Sequence, residues 1–348
     1  MKKLLVYPFT YETLPLARYC ESLTDYCEVI PVVEKGSGIS GGNDVAYLDG
    51  GTATGLVTTS DFEEAVKTAD DILFTGEILD AALFMKYFAI AKGSGKKILV
   101  SGDFSKHKEV DLESVQVLSR SVYEAEVNHE NRLSKIPVPI ILVTGQGSLC
   151  QKFNIQIGLR RKFQQSGYDV SQVGSKQYSS LFGIHAMPHF SDTPLWKKIM
   201  LYNQYFKDIV DNESPDVLIV GVPGGIMPID DWHNELFGET AIAISKSLSP
   251  DISIISTFLT KIEQEFLDEM KDYFKYALGA PLDYVHLSNI KQVFEPDLRT
   301  INYMITDSKH VFEEQEITSD TFFNVFSNTS NTVYDKIILQ LQSNIEVL

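Results

Sequence analysis

The segment Ile140-Ile-Leu-Val-Thr-Gly-Gln-Gly-Ser-Leu-Cys-Gln-Lys-Phe-Asn154 decides the reading of the chain. Four apolar residues followed by Thr and a Gly-Gln-Gly turn predict a buried strand that breaks sharply. The polar run that follows, Asn154 to Ser166, predicts a helix. A strand, a glycine turn and a helix in that order point backbone N–H groups and a positive helix end at one spot, which is how phosphates are held. Candidate anion ligands are therefore Gly145, Gly147, Ser148, Cys150 and Gln151 through their backbone N–H groups, with Lys152 adding charge.

Outward from this segment the pattern repeats on both sides. Upstream, Lys3 to Phe9, Glu28 to Val33, Asp71 to Gly76 and Lys97 to Gly102 read as strands. Thr13 to Leu23, Asp61 to Ala69 and Leu79 to Ala91 read as helices between them. Asp61, followed by acids in the first turn, is a helix start. Downstream, Asp169 to Val173, Asp216 to Val220 and Ile252 to Phe258 read as strands, with helices at Trp196 to Asp211 and Thr240 to Leu248. Alternating strands and helices imply parallel sheets, because parallel neighbours need a crossover. Lys108 to Leu133, free of Gly and Pro, reads as a long surface or bridging helix, and Pro137 and Pro139 mark the boundary. The expected class is α/β: a Rossmann-like parallel-sheet domain over 1–135 and a P-loop-NTPase-like α/β domain over 136–348.

Composition narrows the functional classes. The 348 residues are 44% hydrophobic and 22% charged, and Lys+Arg 30 against Asp+Glu 47 gives a net charge of −17. That field repels a nucleic-acid backbone, so no nucleic-acid partner is expected. The longest apolar runs, Ile136 to Gln146 and Val217 to Ile229, are too short for a bilayer, so no membrane partner is expected either. Three cysteines, Cys20, Cys27 and Cys150, fit a reducing, cytoplasmic location. Oligomeric state is not legible.

A standard P-loop places Gly before its Lys and Ser or Thr after it; here Gln151 and Phe153 take those places. The spacing from Gly145 to Lys152 nonetheless resembles the lengthened P-loops of dethiobiotin-synthetase-like proteins and of two-domain amide-ligase-like proteins. The likeness continues through Arg160-Arg-Lys-Phe-Gln-Gln-Ser-Gly-Tyr-Asp-Val-Ser-Gln-Val-Gly-Ser-Lys-Gln-Tyr-Ser179. It implies a nucleotide such as ATP with Mg²⁺, bound also by Gln177, with Asn154 standing where a Thr holds the metal. The acid expected at the end of the Asp216 to Val220 strand is replaced by Gly221. Phosphoryl transfer would then need a substitute such as Asp230 or Asp231.

Taken together, Tyr7-Pro-Phe-Thr-Tyr-Glu-Thr-Leu-Pro15, the Val143 to Gly147 turn, Gly221-Val-Pro-Gly-Gly-Ile-Met-Pro228 and Phe237-Gly-Glu239 resemble the clostridial-type peptide maturation system proteins. The resemblance implies an accessory protein in the maturation of ribosomally made peptides, with a precursor peptide or its modifying enzyme as partner. The competing expectation is an ATP-dependent ligase or phosphoryl-transfer enzyme acting on a carboxylate, with Lys152 on the phosphates. A scaffold with decayed sites is the third.

Other candidates carry a plain reading beside the functional one. His185 and His189 are four apart, a zinc spacing on a helix, but Pro188 favours a loop. Asp230, Asp231 and His233 could hold Mg²⁺, or Asp231 could cap the next helix. Cys150 is a nucleophile with a helix-lowered pKa or a buried packing residue. Gly36, Gly38, Gly41 and Gly42 form a loop, a cover for a cleft or a surface linker.

Overall fold

A computed structural model describes residues 2–102, 104, 111–118, 123, 132–295, 297–313, 315 and 319–346. Two compact units emerge, one made of 1–120 with 177–186, the other of 121–176 with 187–348. The division thus falls before the prolines at 137 and 139, and it returns a short excursion of the later chain to the first unit.

The first unit is built on strands β1 (Lys2–Tyr7), β2 (Tyr26–Pro31), β3 (Asp71–Thr75), β4 (Lys97–Ser101) and β5 (Gln116–Val117). They pair in parallel in the order β2-β1-β3-β4-β5. Helices α1 (Leu14–Arg18), α2 (Phe62–Thr68) and α3 (Ala81–Gly93) are the crossovers. Asp61 and Asp80 start the last two, accepting from Glu64 and from Ala82 and Leu83 N–H groups. A ring cluster of Tyr7, Phe62, Phe74, Phe84, Tyr87 and Phe88 fills the space beneath α2 and α3. The expected helix from Thr13 to Leu23 is shorter. Pro15 in its first turn is tolerated, but α1 ends at Arg18 and a 3-10 turn, Cys20–Ser22, replaces the rest. The excursion 177–186 carries the 3-10 helix Gln177–Phe182 and a two-residue strand, β8 (His185–Ala186).

The long helix expected over Lys108 to Leu133 is not there in its described parts. Leu112–Ser114 is a 3-10 turn, Gln116–Val117 is an edge strand, and 132–137 has no regular structure. The remainder of that stretch lies outside the described residues. At Gln116–Val117 the chain pairs with β4 at the sheet edge instead, and a polar stretch with no buried apolar face has no tertiary packing to hold it helical.

The second unit holds β6 (Ile140–Gly145), α4 (Lys152–Gln165), β7 (Val170–Gly174), α5 (Leu195–Glu213), β9 (Val217–Gly221), α6 (Glu239–Ser247), β10 (Ile252–Thr257), α7 (Gln264–Tyr273), β11 (Tyr284–Leu287), the antiparallel hairpin β12 (Ile290–Glu295) and β13 (Thr300–Ile305), β14 (Phe322–Phe323) and α8 (Thr329–Glu346). Its parallel sheet runs β14-β11-β10-β6-β9-β7. Strands β6, β9 and β10 are buried along their whole length, the mark of parallel strands covered on both faces. One face packs on α5 and α6 through Leu142, Leu218, Tyr205, Phe206 and Ile244. The other packs on α4 and α8 through Ile141, Ile219, Leu159 and Ile337. The expectation of an α/β fold with parallel sheets is what the structure shows. Among the described residues, no helix is long and apolar enough to cross a membrane.

Candidate functional site

The site forms where β6 ends in the sheet's centre and the chain turns into α4. Gly145 is required there: a side chain would collide with Cys150 Sγ and come within 2.9 Å of Lys152 Cδ. Gly147 is pressed against the Phe258 ring, 3.0 Å from where a Cβ would sit. The turn is fixed to β10 by Gln146 N–H donating to Ser256 O (3.0 Å) and by Phe258 N–H donating to Gln146 Oε1 (2.9 Å). Gln151 enters the helix in the left-handed region, φ 65°, and gives α4 no side-chain cap. Its amide instead donates to Asn289 Oδ1 at 2.6 Å, while Oε1 is buried with no partner among the described residues.

Lys152 is 3% exposed. Its ammonium donates to the carbonyls of Gly147 (2.8 Å) and Gly224. Burial pulls its pKa below the usual lysine value, against the opposing pull of the Glu235 charge. A cation sunk this deep is normally paired with an anion. Cys150 is fully buried and its thiol donates to Gly147 O at 3.0 Å, which withdraws it from the role of an accessible nucleophile. Ser148 is exposed, and Phe153 and Asn154 are buried in the first turn of α4. The N–H groups of Gly147, Ser148, Cys150 and Gln151 make no hydrogen bond among the described residues.

Two residues missed at the level of sequence complete the surroundings. Gln156, one turn after Lys152 and fully buried, lies over Gly221, so that any side chain at 221 would strike it. Its Nε2 donates to Lys152 O (3.2 Å) and Ser175 Oγ (3.3 Å), and its Oε1 has no partner among the described residues. A neutral amide thus fills the end of β9. Its signal was a polar residue four positions after the Lys, on the helix face that meets the sheet. Glu235 is the second: its carboxylate accepts the Gly225 N–H at 2.8 Å. No local pattern announces it, because its placement depends on a left-handed turn.

The remaining candidates are placed as follows. Asp230 closes its own turn, accepting from the Trp232 and His233 N–H groups (both 2.7 Å) and lying 2.9 Å from His233 Nδ1. Its slight desolvation would raise its pKa, yet these bonds hold the carboxyl below the usual range. Asp231 is exposed. Among the described residues no three His, Cys, Asp or Glu side chains gather to hold a metal. Gln177 belongs to the first unit, where its Oε1 accepts the Gly102 N–H at 2.7 Å. His185 falls in the first unit and His189 in the second. The glycine loop at 36–42 is tied back within the first unit by Gly42 N–H donating to Thr58 O and by Thr58 Oγ donating to Ser40 O.

The whole architecture is similar to that of a DUF1611 family protein from Anabaena variabilis, with a TM-score of 0.62 and 11% identity over 97% of this chain and 100% of that one. At that identity the likeness establishes the fold alone. A nucleotide-binding protein from Archaeoglobus fulgidus in complex with ADP matches 58% of this chain and 87% of its own at 10% identity. Its TM-score of 0.34 is too low to inform the site. No family model matches the chain, and no curated protein matches it.

Proposed function

We propose that the turn at 145–154 binds the phosphate of a nucleotide such as ATP, or a related anion, and that the protein uses this site in an accessory role during maturation of a ribosomally made peptide. One observation carries the binding reading: the Lys152 ammonium is buried at a helix N-terminus with only carbonyls for partners, beside N–H groups that make no hydrogen bond among the described residues. An incoming anion satisfies both. The accessory role is supported by the sequence resemblance over Tyr7 to Pro15, Val143 to Gly147 and Gly221 to Pro228. It makes a precursor peptide or its modifying enzyme the partner.

The site favours binding over turnover. Phosphoryl transfer is mostly charge neutralisation around a metal, and here Gln156 covers the strand end where an acid would stand while Asp230 is committed to its own turn. ATP or inorganic phosphate should raise the melting temperature of the native protein. Lys152→Ala should weaken calorimetric affinity by about 1 to 3 kcal/mol, the range for charged hydrogen bonds. Absence of binding at millimolar ligand refutes the site. ADP or AMP release in the presence of Mg²⁺ and a precursor peptide, abolished in Lys152→Ala, would establish the ligase or phosphotransferase instead.

A further inference from the structure

The charges of Lys152 and Glu235 grip opposite ends of one peptide unit. Lys152 Nζ donates to the Gly224 carbonyl, and across the same peptide bond the Gly225 N–H donates to Glu235 Oε2 at 2.8 Å. A peptide that accepts from a cation at one end and donates to an anion at the other is polarised in the sense both require, so the two charges are coupled through it. The carboxylate is thus the counter-ion of the buried ammonium at one peptide's remove.

Holding it there is costly. Glu235, Leu236, Phe237 and Gly238 have φ of 45°, 52°, 54° and 70°, four successive left-handed residues of which three carry a Cβ that this region disfavours. Packing does not repay the turn, since Leu236 and Phe237 stand in water at 66% and 70% exposure. The bonds that hold it include Asn234 Oδ1 accepting Leu236 N–H (2.9 Å), Asn234 O accepting Phe237 N–H (2.6 Å), Leu236 O accepting Glu239 N–H, and Glu235 on Gly225. Gly225 admits this approach because it lacks a side chain: a Cβ there would meet Gln146 O at 2.5 Å and Glu235 Cγ at 2.9 Å.

Resting on the reading that the turn binds an anion, we infer that Glu235 is an internal counter-ion which the ligand replaces. A phosphate or carboxylate arriving at Lys152 supplies the negative charge, Glu235 leaves Gly225, and the 235–238 turn relaxes from its left-handed form. The site is held shut by its own acid, and the released strain favours the ligand.

The test uses the full chain carrying Trp196→Phe, which leaves Trp232 as the reporter beside the turn. Calorimetry with inorganic phosphate, metal-free ATP and succinate compares this protein with Glu235→Gln and Glu235→Ala. Both variants are expected to bind the preferred anion at least tenfold more tightly, and saturating anion should shift Trp232 emission toward that of the unliganded Glu235 variants. A Leu236→Gly, Phe237→Gly double variant, which accepts left-handed backbone, should fold and bind more weakly. Equal or weaker binding in both Glu235 variants, where the parent binds and Lys152→Ala binds more weakly, overturns the counter-ion and leaves the anion site standing. No binding by the parent or by any variant overturns both.

Discussion

Single atoms at the centre of the second unit set how much change it tolerates. At Gly238, with φ 70°, an added methyl would run into the Ile226 carbonyl, which also accepts from Tyr273. Gly238→Ala should therefore destabilise by about 1 to 3 kcal/mol through strain at a left-handed position, read as a lower urea midpoint with an unchanged slope. His286 is buried with its Nδ1 at 2.8 Å from Ser256 Oγ and its Nε2 without a partner among the described residues. Burial pushes its pKa down to about 3. The unfolded chain binds this proton near pH 6.5 and the folded one does not, so stability present above pH 6.5 is lost as the pH falls towards 3. The slope from this residue is at most about 1.4 kcal/mol per pH unit. His286→Leu should flatten that part of the stability profile in urea titrations between pH 6 and 4.

Among the elements, those named correctly from sequence had a local cause strong enough to survive folding. The apolar runs of β6, β9 and β10 can be buried only between two layers of helix, and the Asp-led helix α2 carries its own start signal. The same logic applies to α3, whose first turn rests on Asp80 accepting two N–H groups (2.9 and 3.0 Å). Asp80→Ala should cost about 1 kcal/mol, measured by chemical denaturation, with Asp80→Ser restoring most of it. Elements were misread where local preference was weak. The polar spacing at 111–118 yielded to pairing with β4, and the helix after Thr13 stopped at Arg18. The Arg18 guanidinium turns there to Asp49, with Nη2 donating to Oδ1 at 2.6 Å.

For the molecule as a whole, the division into units does not follow the chain. The first unit needs 177–186, which supplies Gln177 to the Gly102 N–H and the Leu181 carbonyl to the Thr24 N–H at 2.9 Å. A fragment ending at residue 135 lacks those partners. It should show a lower urea midpoint and earlier loss of protection at Thr24 and Gly102 in hydrogen exchange than the full chain. Protection equal to the full chain would mean that the excursion contributes nothing to the first unit.

Alternating strands and helices, the parallel sheets and the Gly145 to Lys152 turn were legible because each depends on residues close in sequence: apolar runs, glycines and a helix start. The state of the site was not. That Lys152 is buried on two carbonyls, that Gln156 covers Gly221 and that Glu235 reaches Gly225 are facts about residues brought together from helix α4, the end of β9 and turns distant in sequence. Gln177 was grouped with the turn by its sequence neighbourhood, and its bond to the Gly102 N–H inside the first unit is likewise a tertiary fact. Periodicity and turn chemistry act within a few residues, whereas the partner of a buried charge is chosen by whichever polar groups the packed core leaves within reach.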